Sequence, residues 1–164
     1  MIDIDYLERH FRGCQVVEIP AFHVLYRGTF EREPNEYPDL NIITGVKTFA
    51  FDKSVALNYA HRDPKKNHAY KSPRDPVARS VLFTVTLLAK CRAFVWQDLK
   101  THITAAQITD YWRFEREELF PIARRALGDP LIVGYVTNPD LSDAYEAVID
   151  TSRAHLRAVA EIIA

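Results

Sequence analysis

Cysteine and glycine are scarce in this chain, and long hydrophobic runs are missing. The two cysteines, Cys14 and Cys91, allow at most one bridge, which excludes a disulfide-stapled scaffold and predicts a reduced, cytoplasmic protein. Five glycines in 164 residues form neither a Gly-rich phosphate loop nor a Gly-x-Ser-x-Gly elbow. That removes the commonest nucleotide-hydrolase and acyl-transfer readings. No apolar stretch approaches the ~20 residues that span a bilayer, so no membrane contact is expected. The residues before Glu8-Arg9-His10 lack the charged start and apolar core of an export signal. A dominant charge is also missing: 21 Lys and Arg stand against 22 Asp and Glu, a net charge of −1 at pH 7. No overall field therefore draws the chain onto nucleic acid or an anionic membrane. No Cys or His spacing suits zinc, and no metal is expected.

What is present is a globular composition, with 48% apolar and 26% charged residues, no repeat and no linker, so residues 1–164 read as one domain. Ile4, Leu7 and Phe11 at helical spacing before Gly13 predict a short opening helix. Two β-rich stretches come next, residues 14–19 and 22–27 on either side of Pro20, and then a polar loop with Pro34 and Pro38. Residues 48–51 predict a strand that turns, at Asp52 or Ser54, into a helix carrying Val55, Ala56, Tyr59 and Ala60. A basic loop with Arg62, Lys65, Lys66, Lys71, Arg74 and Arg79 spans 61–80 and also holds His61 and His68.

Residues 80–88 alternate as a clear strand, with 93–96 as its expected partner. From Thr104, the positions Ile108, Trp112, Leu119 and Ile122 make a helical stripe on which Glu115 also falls, with Pro121 as a kink or restart. Strands are predicted at 131–136 and 144–149, whereas 151–164 fits helix and strand equally. Strands outnumber helices without alternating regularly with them, which predicts an α+β domain.

The strand 22–29 places His23, Leu25, Arg27 and Thr29 on one face and Phe22, Val24 and Tyr26 on the other. An arginine fork at a strand end beside Gly28 suits a phosphate or carboxylate, and it equally suits a structural ion pair. Leu25-Tyr26-Arg27-Gly28-Thr29, together with the later segment Lys47 to Ala60, resembles the ADP-ribosyltransferase superfamily over residues 22–153. In that pattern Arg27 matches the first position of the family's triad, as in the arginine-using toxins. Thr48 matches the middle position, and Phe49-Ala50 and Ala56 through Tyr59 match the family's next strand and helix. The resemblance implies central, mainly antiparallel β-sheets forming an NAD cleft with flanking helices. Arg27, Gly28, Thr29, Thr48, Phe49 and Tyr59 would bind NAD, the substrate. Arg27 would lie near the adenosine ribose or diphosphate, the Gly28 backbone would clamp the nicotinamide amide, and Tyr59 would stack on the nicotinamide ring. A tyrosine face attracts that cationic ring by stacking and cation–π interaction.

The third triad position is a glutamate on a late strand, which the resemblance assigns to Glu146 as the catalytic carboxylate. Aligned on Asp150, the position falls on Tyr145, and Glu146 takes it if the strand is one residue shorter. The two point to opposite faces, so one of them enters the cleft. Glu115 and Glu117, which resemble the paired acids of arginine-modifying toxins, compete for the role. The implied activity is cleavage of NAD at the nicotinamide–ribose bond. ADP-ribose would pass to an unidentified protein or nucleic-acid acceptor, or to water, in the manner of a toxin or effector acting in a cytosol. The alternative is a non-catalytic module of the same fold that lacks the carboxylate. An enzyme that uses NAD to remove an RNA phosphate is a third reading.

Overall fold

The computed structural model describes residues 1–31, 41–60 and 79–163. Pro34, Pro38, His61, His68 and the basic loop up to residue 78 lie outside the described residues.

Helix α1 (Ile4–Arg12) begins at Asp3, whose carboxylate accepts from the Tyr6 N–H at 3.0 Å, and buries Leu7 and Phe11 one turn apart. Strands β1 (Val16–Ile19), β2 (Val24–Phe30) and β3 (Val46–Ala50) come next. After β3 the Asp52 carboxylate accepts from the Ser54 N–H at 2.8 Å and the Ser54 hydroxyl at 2.7 Å, turning the chain into α2 (Lys53–Ala60). The remaining elements are β4 (Ser80–Leu87), β5 (Cys91–Val95), α3 (Leu99–Ala105), α4 (Tyr111–Phe114), a π turn (Glu115–Leu119) and α5 (Phe120–Leu127). Then come β6 (Ile132–Val136), β7 (Glu146–Asp150), a 3₁₀ turn (Thr151–Arg153) and β8 (Leu156–Ile163).

The strands form one sheet in the order β1-β5-β6-β7-β3-β2-β4-β8, antiparallel except between β5 and β6. The molecule is thus α+β with a single, mostly antiparallel sheet. One link in it is weak. β2 pairs with β4 along its whole length and β3 does the same with β7, but β2 and β3 meet only at Tyr26 and Ala50. The sheet therefore behaves as two halves joined at one point. Their inner faces share a core in which Leu25, Phe83 and Val85 of one half meet Phe49, Ala93 and Ile149 of the other. The outer face of the larger half, with Phe94, Trp96 and Tyr135, is covered by α1 and the α4–α5 segment through Phe11, Phe114 and Leu119. On the smaller half Leu82 packs under Ala56 of α2.

Two expectations are corrected and one open choice is resolved. β5 does not pair with β4: it lies between β1 and β6, because residues 88–90 carry it to the other half of the sheet. The long helix opened by Thr104 does not exist. α3 ends at Ala105, Gln107 takes φ of 60°, and a new helix starts at Asp110, whose side chain accepts from the Arg113 N–H. The π turn then inserts an extra residue per turn and rotates α4 against α5. Leu119 and Ile122 stay buried while Trp112, expected on the same stripe, is 70% exposed. Pro121 follows directly on the π turn inside an unbroken helical run from Tyr111 to Leu127, so it does not restart the helix. The ambiguous tail is strand, since β8 pairs with β4 over eight residues.

Beyond the end of β2, the fully buried Glu31 accepts from Arg79 Nε at 2.6 Å, Nη2 at 2.8 Å and the Arg79 backbone N–H at 3.0 Å. Losing the Glu31 carboxylate breaks all three bonds at once. Glu31→Ala accordingly lowers the denaturant midpoint, and Glu31→Gln, which keeps the acceptor oxygen, lowers it less.

Candidate functional site

Where β2 and β3 part, a cavity of about 690 Å³ opens, a size that suits a small-molecule ligand. Residues 26–30 of β2 and Val55, Ala56 and Tyr59 of α2 line one side. Thr48, Phe49 and Ala50 of β3 lie between, and Tyr111, Trp112, Glu115, Tyr135 and Glu146 line the other side. All the residues assigned from sequence to NAD and catalysis (Arg27, Gly28, Thr29, Thr48, Phe49, Tyr59 and Glu146) are among them, and so is Glu115. Glu117 is not: it is exposed and paired with Arg113 at 2.9 Å. Tyr145 is 55% exposed and outside the lining.

The choice between Tyr145 and Glu146 rests on how β7 begins. The Thr137 hydroxyl oxygen accepts from the Tyr145 N–H at 2.9 Å and from the Glu146 N–H at 3.3 Å, which fixes the start of the strand at Glu146. Alternation then sends Glu146 and Val148 to the helix-covered face and Ala147 and Ile149 into the core between the halves. Tyr145 instead lies beside Tyr59, whose hydroxyl is held above the ordinary tyrosine value by burial first and then by Tyr145.

Gly28 has two reasons to be glycine. α2 crosses it so closely that a Cβ would coincide with the Ala56 carbonyl. Its backbone edge is also turned toward the cavity. The bonds Glu31 N–H to Arg79 C=O and Leu87 N–H to His23 C=O show that odd residues of β2 bond to β4. The N–H and C=O of Gly28 therefore point toward β3, from which β2 has already separated. Arg27 reaches the same gap, where its Nη1 donates to the Thr48 carbonyl at 3.1 Å. Lys47 adds positive charge nearby. Its amine is held below the usual lysine range by burial, then by the charges of Arg27 and Arg116.

Opposite these cations stand two carboxylates. Glu115, 6% exposed, is raised above the ordinary glutamate value by burial, while hydrogen bonds from Tyr111 and Tyr135 and the Arg27 charge oppose the rise. The Tyr135 hydroxyl donates to Glu115 Oε2 at 3.3 Å and lies 2.9 Å from the Tyr111 hydroxyl. Glu146 is also raised, by burial and then by the Glu115 charge. Sequence patterns alone do not single out Tyr111, Tyr135 and Trp112 as site residues. Tyr135 is hidden in an apolar run, although its alternation with Gly134 and Val136 carries the signal.

A buried acid with a raised pKa favours its protonated form in the fold. Its stabilising effect is complete below the unfolded-state value and is lost as pH rises through the folded one. Glu115→Gln, which keeps the shape without the charge, should therefore melt higher than the wild type at about pH 8 and match it near pH 4. Paired thermal melts across this range check it.

Among the described residues no cluster of His, Cys, Asp and Glu would hold a metal, and no helix is long and apolar enough to cross a membrane. Comparison with protein-family models, curated proteins and solved structures gives no match to this chain.

Proposed function

We propose that the cavity is an NAD cleft and the protein an ADP-ribosyltransferase-like enzyme that breaks the bond between nicotinamide and ribose. The single observation that carries this reading is the convergence, at the parting of β2 and β3, of an arginine, an inward backbone edge at a glycine, a tyrosine and a carboxylate. The sequence resemblance assigns those groups to NAD. The backbone N–H and C=O of Gly28 match the paired acceptor and donor of a carboxamide, and Tyr59 offers its ring to the cationic pyridinium. Arg27, with Lys47 nearby, supplies positive charge for the diphosphate.

In the reaction the C1′–N bond breaks and its electron pair passes to the pyridinium nitrogen, so nicotinamide leaves neutral. Positive charge builds on the ribose. Glu146 as carboxylate stabilises that charge and accepts the ribose 2′-hydroxyl, an interaction that strengthens in the transition state. An acceptor oxygen or nitrogen, or water, then bonds to C1′ and gives up its proton to solvent.

The test is release of free nicotinamide from NAD by the wild type, with and without lysate as acceptor, compared with Glu146→Gln, Tyr145→Phe and Glu115→Gln. Loss in Glu146→Gln with activity kept in Tyr145→Phe supports the assignment. Loss confined to Glu115→Gln transfers the role to the π turn. Absence of release from every form overturns the enzyme and favours a binding module.

A further inference from the structure

We propose that Trp112 is the platform on which the adenine ring of the dinucleotide stacks, an assignment that rests on reading the cavity as an NAD cleft. Trp112 lines the cavity and yet is 70% exposed. An indole left in water forgoes the burial of one of the largest apolar surfaces a side chain offers. Among the described residues its one ring neighbour is Tyr111, which meets it edge-on at 5.7 Å and 61°. Trp96, the other tryptophan of the chain, is 1% exposed and packed edge-on against Phe11 and Tyr135, so exposure is a property of this position and not of the residue type.

The direction of the ligand is set by the rest of the site. The bond to be broken must lie at the carboxylates, and Glu115, three residues along the same segment, is 6% exposed and marks the enclosed end. The diphosphate belongs with Arg27. The far end of the dinucleotide, a large uncharged flat base, then emerges at the open rim, where the described lining presents Trp112. Stacking needs no hydrogen-bond code, so an aromatic face suffices to hold that base. The helix break before Asp110 and the π turn after Phe114 together place the indole there.

The test uses the whole chain and four ligands: NAD, ADP-ribose, AMP and nicotinamide mononucleotide. Trp96 packs against the cavity residue Tyr135, so the part of the ligand-dependent tryptophan emission that Trp112→Phe removes is the part that reports Trp112. ADP-ribose and AMP are expected to quench it, nicotinamide mononucleotide is not, and Trp112→Phe removes the change. In turnover, Trp112→Ala is expected to raise the KM for NAD about tenfold with kcat unchanged, and Trp112→Phe to restore most of the affinity. With nicotinamide mononucleotide as substrate, Trp112→Ala should raise KM by much less than it does with NAD. If the wild type releases nicotinamide and Trp112→Ala keeps the wild-type KM, or saturating ADP-ribose leaves the emission unchanged, the adenine assignment is overturned and the NAD cleft stands. If no nucleotide binds and no nicotinamide is released, both fall.

Discussion

Glu146→Gln is expected to lower kcat for nicotinamide release by roughly 10²- to 10³-fold, the usual effect of removing one preorganised group aimed at developing charge. The KM for NAD should change little. Glutamine fills the same volume and still accepts a hydrogen bond, so ground-state binding persists while the stabilisation of the ribosyl cation is lost. The half-buried setting that makes the carboxylate effective also raises its pKa, by desolvation first and by the neighbouring Glu115 second. The acid limb of kcat/KM should then lie above the ordinary glutamate value, with activity falling as pH drops through it. Glu115→Gln removes the second cause and should shift that limb to lower pH. An acid limb that stays put in Glu115→Gln means that the two carboxylates do not share one field. Single-turnover assays across pH separate these effects from product release.

Gly28→Val has the other large expected effect, and it acts on fold and site together. A side chain at this position would occupy the place of the Ala56 carbonyl, so α2 must move away from β2. Overpacking of this kind costs about 1–3 kcal/mol, to be read from denaturant unfolding. Displacement of α2 also carries Tyr59 out of line with the Gly28 edge, since both line the same cavity. Nicotinamide release should fall at least tenfold even under conditions where the variant is fully folded. Gly28→Ala is the milder version, with the same sign in both measurements. A folded Gly28→Val protein with wild-type turnover would separate α2 from catalysis.

These two positions illustrate how unevenly the site is written in the sequence. Gly28, Thr48, Phe49 and Tyr59 are legible only through the resemblance, which rests on two short local segments, and all four line the cavity. Glu146 is less so, because one residue of register decides between it and Tyr145, and that register is fixed by Thr137, nine residues upstream on the neighbouring connection. Periodicity places Glu115 on a buried stripe, and it is buried. The same periodicity misplaces Trp112, since a helix break and a π turn change the phase and neither has a period of its own to read. The pairing of β5 escapes the sequence for a related reason. Alternation shows that residues form a strand but not which strand they join, and β5 finds β1 and β6 across the molecule.

The sequence by itself determined the α+β class and most strands to within about two residues at their ends. These depend on neighbours within a few positions, where side-chain alternation and turn residues act directly on the backbone. Only the tertiary structure decided that β2 and β3 part after a single bridge, which of Tyr145 and Glu146 faces the gap, and which aromatic is left in water at its rim. Each of those outcomes is a competition between packing partners far apart in the chain, and no local pattern encodes who wins.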